Sequence, residues 1–295
     1  VVNIHAALAR TRDQFRSAGL DTPELDARLL MQAATGLRHE ELLMRYNEPV
    51  SDAQSDALNK MVQRRLLREP VSRILGVRAF WKSEFKISRE TLDPRADSET
   101  LIEAVLDHVP HDRPLSILDL GTGSGCLLLS LLQELPEATG LGVDISADAI
   151  QTAHENAATL GLSNRVKFMV NNWTELKINN LFDIVISNPP YISDSEIAVL
   201  APEVKEYDPV RALSGGADGL SCYREIISLL PKLIQKTGFV FMEIGATQAE
   251  SVKEMLAKSG LHMIQTAQDL AGHDRCVVAS MSSVISVKEK RMPLK

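Results

Sequence analysis

The hydrophobic rhythm changes along the chain, and the changes divide it. Residues 3–82 carry apolar positions at helical spacing. Asp21-Thr22-Pro23-Glu24 reads as a helix start, a capping residue followed by Pro in the first turn, and Gly36 reads as its stop. Between them Leu25, Leu29, Leu30 and Ala33 predict one buried face. Ser51 starts another helix, with Leu58, Met61, Val62 and Leu66 toward a core. Arg64, Arg65 and Arg68 fall among its later turns, as either a solvated face or a contact for a charged partner. Pro70, Gly76, Phe80, Trp81, Phe85 and Ile87 then suggest a short strand or hairpin. A polar loop from Leu92 to Glu99 follows, as a domain junction or a segment that closes over a ligand. It leads into a helix from about Ser98 to His108, with Ser98 as N-cap and Leu101 as the first core residue.

From Leu115 onward strand and helix alternate. Strands are expected at 116–120, 140–145, 166–170, 182–187, 239–244, 261–267 and 275–280. Helices are expected at 126–134, 147–160, 221–236 and 247–259. Strands separated by helices predict an α/β fold, a mostly parallel sheet with helices on both faces. The last two strands lie close together with no helix between them, which predicts an antiparallel pair at one edge. The expected divisions are a helical recognition domain over 1–82, a linker or hairpin over 83–97, the α/β domain over 98–282 and a basic, frayed tail over 283–295.

Composition narrows the class only a little. With 295 residues, 44% hydrophobic and 24% charged, the chain reads as an ordinary soluble globular protein. No apolar run approaches the roughly 20 residues that span a bilayer, and residues 1–16 lack the apolar stretch of a signal peptide. Cys126, Cys222 and Cys276 are too scattered for a disulfide framework or a metal cluster, which fits a reducing, cytoplasmic setting. Net charge is −7, against a general nucleic-acid binder. Residues 1–82 hold 13 Lys and Arg against 10 Asp and Glu, a net +3 that leaves about −10 for the rest. That asymmetry suits docking to a partner more than bulk capture of DNA.

The chemistry gathers at the ends of strands. Asp119 and Leu120 lead into Gly121-Thr122-Gly123-Ser124-Gly125, which joins the first strand of the sheet to a helix. Glycines there allow a tight turn and close approach of backbone to a ligand, beside a helix N-terminus. The spacing is neither G-x-G-x-x-G nor a P-loop. Asp144 ends the second strand about twenty residues on. An acid there accepts both hydroxyls of a ribose, in NAD or S-adenosylmethionine proteins, or else caps the next helix. Asn171, Asn172 and Trp173 follow the third strand, where polar groups and a ring would flank an adenine. Asn188-Pro189-Pro190-Tyr191 ends the fourth strand. Proline stops ladder pairing and extends the residue before it. The Asn188 amide oxygen and the Pro189 carbonyl could then act as two acceptors beside the Tyr191 ring, a holder for a planar NH2 group.

Together with Arg68-Glu69-Pro70-Val71, Asp93-Pro94-Arg95, Asp208-Pro209, Glu243-Ile244-Gly245 and Asp269-Leu270-Ala271-Gly272, these stretches resemble the HemK/PrmC family. Its members are class I S-adenosylmethionine-dependent methyltransferases that modify the glutamine of the Gly-Gly-Gln motif in peptide-chain release factors. Asn172 stands where the family usually has Asp. The resemblance implies a seven-stranded Rossmann-like methyltransferase sheet of order 3-2-1-4-5-7-6 behind a small N-terminal helical bundle. It implies S-adenosyl-L-methionine as cofactor and S-adenosyl-L-homocysteine as product. Gly121, Thr122, Gly123, Ser124, Gly125, Asp144, Ile145, Asn172, Trp173 and Asn188 would hold the cofactor. Asn188, Pro189, Pro190 and Tyr191 would hold the substrate amide. The implied partners are class 1 release factors, met by a monomer with no membrane and no direct nucleic acid. Two rivals are a DNA or RNA amino-methyltransferase, since adenine and cytosine carry a similar NH2, and a non-catalytic binding module of the same fold. The acidic charge weighs against the first, and the intact Asn-Pro-Pro-Tyr against the second.

Overall fold

The structure is a computed structural model and describes residues 2–178 and 180–282. The chain forms two compact units. One spans the described residues up to Val77 together with Ala201–Tyr207, and the other spans Arg78–Leu200 and the described residues from Asp208 onward. The basic tail expected at 283–295 lies outside the described residues.

The first unit is helical, with α1 (Ile4–Ser17), α2 (Pro23–Thr35), α3 (His39–Met44), α4 (Asp52–Leu66) and α5 (Val71–Leu75). α2 starts at Pro23 and ends on Gly36 at φ 72°, as its punctuation predicts. α4 starts with a capping box between Ser51 and Gln54. The buried face of α2 is only partly the expected one: Leu30 is buried and Leu29 half-buried, but Leu25 is 42% exposed and Ala33 is also outside. Pro23, Asp26, Ala27, Leu30 and Met31 face inward. The cause is Asp26, which is buried and accepts a 2.7 Å bond from the buried Arg65 of α4. Arg65 is therefore neither a solvated face nor an open partner contact. Arg64 pairs with Glu69, and Arg65 and Arg68 both reach Glu203, in the returning Ala201–Tyr207 stretch.

The second unit opens with the hairpin β1 (Val77–Phe80) and β2 (Ser83–Lys86). Phe80 and Phe85 are buried in this unit's own core, so the division falls near Val77 rather than at 82. Then come α6 (Glu99–His108), β3 (Ser116–Leu120), α7 (Cys126–Glu134), β4 (Thr139–Asp144), α8 (Ala147–Thr159), β5 (Val166–Val170) and β6 (Phe182–Ser187). After the short turn α9 (Asp194–Ile197) the chain leaves for the first unit, where it forms α10 (Pro202–Lys205), and then continues here as α11 (Ser221–Leu233), β7 (Ile234–Glu243), α12 (Ala249–Lys258), β8 (His262–Gln268) and β9 (Asp274–Ser280). Where a helix is expected to run to residue 236, α11 stops at Leu233. Pro231 sits in its last turn, and the chain goes directly into strand.

The sheet order is β5-β4-β3-β6-β7-β9-β8. Setting the hairpin aside, that is the implied 3-2-1-4-5-7-6, with antiparallel pairing only where β9 meets β7 and β8. Side chains alternate across the strands. Ile117, Ile184, Ile186, Phe241 and Val278 pack under α6 and α7 on one face. Leu118, Val185, Val240, Met242 and Val277 pack under α11 and α12 on the other. The carboxyl ends of β3, β4, β5, β6 and β7 therefore open at one rim.

Candidate active site

At the end of β3 the glycine turn takes positive φ at Gly121, Gly123 and Gly125 (79°, 54° and 78°). Side chains with a Cβ are strained there. A Cβ on Gly125 would also stand 3.3 Å from that of Ala153, so this glycine brings α7 and α8 together. Thr122 and Ser124 are buried. The Thr122 hydroxyl donates to Asp119 Oδ2 at 2.6 Å, and the Ser124 carbonyl accepts from Asn156 Nδ2 at 2.9 Å. The Gly121 N–H donates to the Val143 carbonyl at 2.9 Å and so fastens the turn to the end of the next strand. Asp119 lies beneath the turn, and its Oδ1 has no hydrogen-bond partner among the described residues. Burial pushes its carboxyl up to about 7.

Asp144 ends β4. Its Oδ2 accepts from the Gly123 N–H and its Oδ1 from the Ser146 N–H, both at 2.9 Å. Burial raises its pKa, and those two N–H groups hold it back. Capping of α8 falls to Ser146, whose hydroxyl accepts from Ala149 N–H. Ile145 beside it is 59% exposed. After β5, Asn172 Oδ1 accepts from the N–H and hydroxyl of Thr174, at 3.0 and 2.9 Å. The Trp173 ring lies 3.5 Å from where a Gly121 Cβ would stand, and its Nε1 donates to Glu225 at 2.8 Å. Trp173 therefore walls the glycine turn.

β6 is fastened beside that turn. The Ser187 hydroxyl donates to the Leu120 carbonyl at 2.7 Å, which places Asn188 at the rim next to β3. Asn188 Nδ2 donates to Ser98 Oγ at 3.2 Å. Pro189 is buried and Tyr191 half-buried. The Tyr191 carbonyl accepts from Gln248 Nε2 at 2.9 Å, and burial pushes its phenol up to about 12.

Asp119, Ser98 and Glu243 join the site without a role assigned from the sequence, although Asp119 and Glu243 lie in the family-like stretches. Ser98 was expected to cap a helix, but Ala96–Ser98 is a 3-10 turn running into α6 and its side chain makes no capping bond. Its hydroxyl turns to Asn188 instead. Glu243 ends β7, is 1% exposed, and has an unpartnered Oε2. Burial pushes its carboxyl up to about 7, against hydrogen bonding from Ser98 and Asn188 and the charge of Arg275. A lone acid closing the apolar run Phe239–Met242 is the same signal that marks Asp119 and Asp144. The loop before α6 is pinned as well. Arg95 pairs with Asp208 at 2.5 Å and Asp97 with Arg275 at 3.3 Å, while Glu99 accepts from the Trp81 N–H.

A cavity of about 1080 Å³ lies at the opposite ends of the strands, lined by Thr139, Arg165 and Lys236 among others, and contains none of these groups. The Arg165 guanidinium there is committed to carbonyls that close α7, Leu132 and Leu135 included. Among the described residues no cluster of His, Cys, Asp and Glu could hold a metal ion, and no helix is long and apolar enough to cross a membrane.

The strand order and this rim define a methyltransferase, and residues 111–280 match the family model of a methyltransferase domain. A methyltransferase structure from Pyrococcus furiosus shares the fold, with a TM-score of 0.50 at 12% identity over 67% of this chain and 88% of that one. Residues 6–76 match the PrmC N-terminal domain. The release factor glutamine methyltransferase of Rhodospirillum rubrum is 44% identical over 266 residues, covering 90% of this chain and 81% of that one. Its counterpart from Caulobacter vibrioides is 39% identical, covering 92% and 94%. The chain belongs to the release factor glutamine methyltransferase family.

Proposed function

We propose that this protein transfers a methyl group from S-adenosylmethionine to the side-chain amide nitrogen of the Gly-Gly-Gln glutamine in class 1 release factors. The observation that carries the reading is the placement of Asn188, one strand from the glycine turn and tied to it through Ser187 and Leu120. The residues around the turn fit the cofactor. The free, buried Asp119 Oδ1 suits an ammonium group. Asp144 keeps lone pairs for a ribose diol beyond its two backbone bonds. Exposed Ile145, with Asn172 and Trp173, suits the flanks of an adenine. The cofactor would supply an electrophilic methyl on a sulfonium centre.

The chain's own task is orientation. An amide nitrogen is a weak nucleophile because its lone pair is delocalised into the carbonyl. Asn188 Oδ1 and the Pro189 carbonyl would accept its two N–H groups, fixing its plane for in-line attack. Such positioning accounts for up to about 7–11 kcal/mol of barrier. The Tyr191 ring would pack on the amide and favour the positive charge growing on nitrogen, which is discharged by loss of one N–H proton to water after transfer. The helical unit would contribute to recognition of the release factor.

Asn188→Ala tests this. Turnover on a release factor is expected to fall by about 100-fold or more, with cofactor affinity by calorimetry changed only modestly. Survival of turnover would refute the two-acceptor account. Methyl label on DNA and none on the release factor would refute the choice of substrate.

A further inference from the structure

The substrate-holding role of Asn188 requires its amide to point one way. An amide rotated by 180° would present NH2 to another NH2. Asn188 is the last residue before two prolines, so neither following residue offers an N–H to fix it. Orientation has to come from side chains.

Two side chains supply it. Ser187 stands beside Met242 in the parallel ladder, so Asn188 and Glu243 leave adjacent strands at the same height. Ser98 reaches the same point from the turn before α6. Asn188 Nδ2 donates to Ser98 Oγ at 3.2 Å, and both side chains stand close enough to the buried Glu243 carboxyl to hold its pKa down against burial. An ionised carboxylate can only accept. A carboxylate beside Asn188 therefore favours the Nδ2 side of its amide, which the bond to Ser98 already turns into the protein. Oδ1 is left as the acceptor for an incoming group. We propose that Glu243 and Ser98 are positioning residues that hold the Asn188 amide with Oδ1 toward the substrate glutamine. This rests on the methyl-transfer reading above and deepens it.

The arrangement depends on pH. Burial pushes the Glu243 carboxyl up to about 7. Below that value it is protonated, and its hydroxyl can donate to Asn188 Oδ1, the atom the substrate needs. Above it, the carboxylate accepts from Nδ2 and Oδ1 is released. Turnover should therefore rise with pH through about 7. The other groups facing Glu243 do not mimic this change. Arg275 on β9 stays charged, paired with Asp269. Asp97, also on Arg275, adds negative charge. Tyr191, Tyr223, Cys126 and Cys276 are all pushed upward by burial and stay neutral. Asp119 also stands near about 7, but it faces the glycine turn, so its titration belongs to cofactor affinity.

The test is kcat against pH on a release factor at saturating cofactor, for wild type, Glu243→Gln, Glu243→Leu, Ser98→Ala and Ser98→Thr. Glu243→Leu removes the acceptor, and kcat is expected to drop about 100-fold with KM for the release factor held within about threefold. Glu243→Gln still accepts from Asn188, so it should keep most of the neutral-pH kcat and lose the acid limb near pH 7. Ser98→Ala should lower kcat and Ser98→Thr, which keeps the hydroxyl, restore it. The proposal is overturned if Glu243→Gln retains the acid limb, or if Ser98→Thr is as impaired as Ser98→Ala. A wild-type kcat in Glu243→Leu would overturn it as well. Should Glu243→Leu not fold, the other three variants decide. Failure of the methyl-transfer reading itself would show in the wild-type control, which would then give no methylated release factor at any pH.

Discussion

Asp119, Asp144 and Glu243 are each the acid at or near the carboxyl end of an apolar strand, and each meets a different environment. Asp144 receives two backbone N–H bonds, whereas Asp119 and Glu243 each keep one buried oxygen unpartnered. Buried polar atoms are nearly always paired, and the free Asp119 oxygen is the one proposed to meet the cofactor's ammonium group. Asp144 was legible because a glycine turn about twenty residues earlier gives an acid at that spacing a meaning. Glu243 carried a similar strand-end signal, but the groups near it, Ser98 and Asn188, lie 145 and 55 positions away. Only the sheet order brings them together. Tyr191 supports a sharper forecast. Its phenol is pushed up to about 12 and stays neutral, and the proposed role uses the face of its ring. Tyr191→Phe is expected to keep kcat within about threefold, while Tyr191→Ala loses about tenfold, read by steady-state methyl transfer. A Phe variant as damaged as the Ala variant would assign the role to the hydroxyl.

At the scale of elements, punctuation was read well and rotation was not. Pro23 and Gly36 bracket α2 as their chemistry demands, yet the face between them came out turned. Leucine counting favours Leu25 and Leu29, whereas the helix follows a buried charge pair, Asp26 with Arg65. Periodicity weighs apolar side chains and cannot see that an acid has a partner 39 residues on. The same blindness hid the loop before α6, whose Arg95 and Asp97 lock to Asp208 and Arg275 and so deliver Ser98 to the site. The α2–α4 pair carries its own prediction. Asp26→Ala removes the shorter of two carboxylate contacts of the buried Arg65, leaving Glu203 at 3.4 Å, and should destabilise the protein by about 1.5–3 kcal/mol in urea unfolding. Replacing Asp26 and Arg65 together with Leu and Met should recover much of that loss. A cost below about 1 kcal/mol for the single change would class the pair with exposed salt bridges.

For the whole molecule, alternating strands and helices fixed a parallel sheet with one rim, and the rim gathers turns that lie far apart in the chain. The glycine turn, Asp144, Trp173 and Asn188 are all brought there. The return of Ala201–Tyr207 to the helical unit was not legible, because a short stretch with no amphipathic length gives no sign of where it docks. The central claim is that this rim moves one methyl group onto one glutamine nitrogen. The most direct measurement is mass spectrometry of a class 1 release factor after incubation with the protein and S-adenosylmethionine, beside a variant whose Gly-Gly-Gln glutamine is replaced. The account predicts a gain of a single methyl, localised to that glutamine, and none on the replaced variant. Equal methylation of both proteins, or of neither, would contradict it.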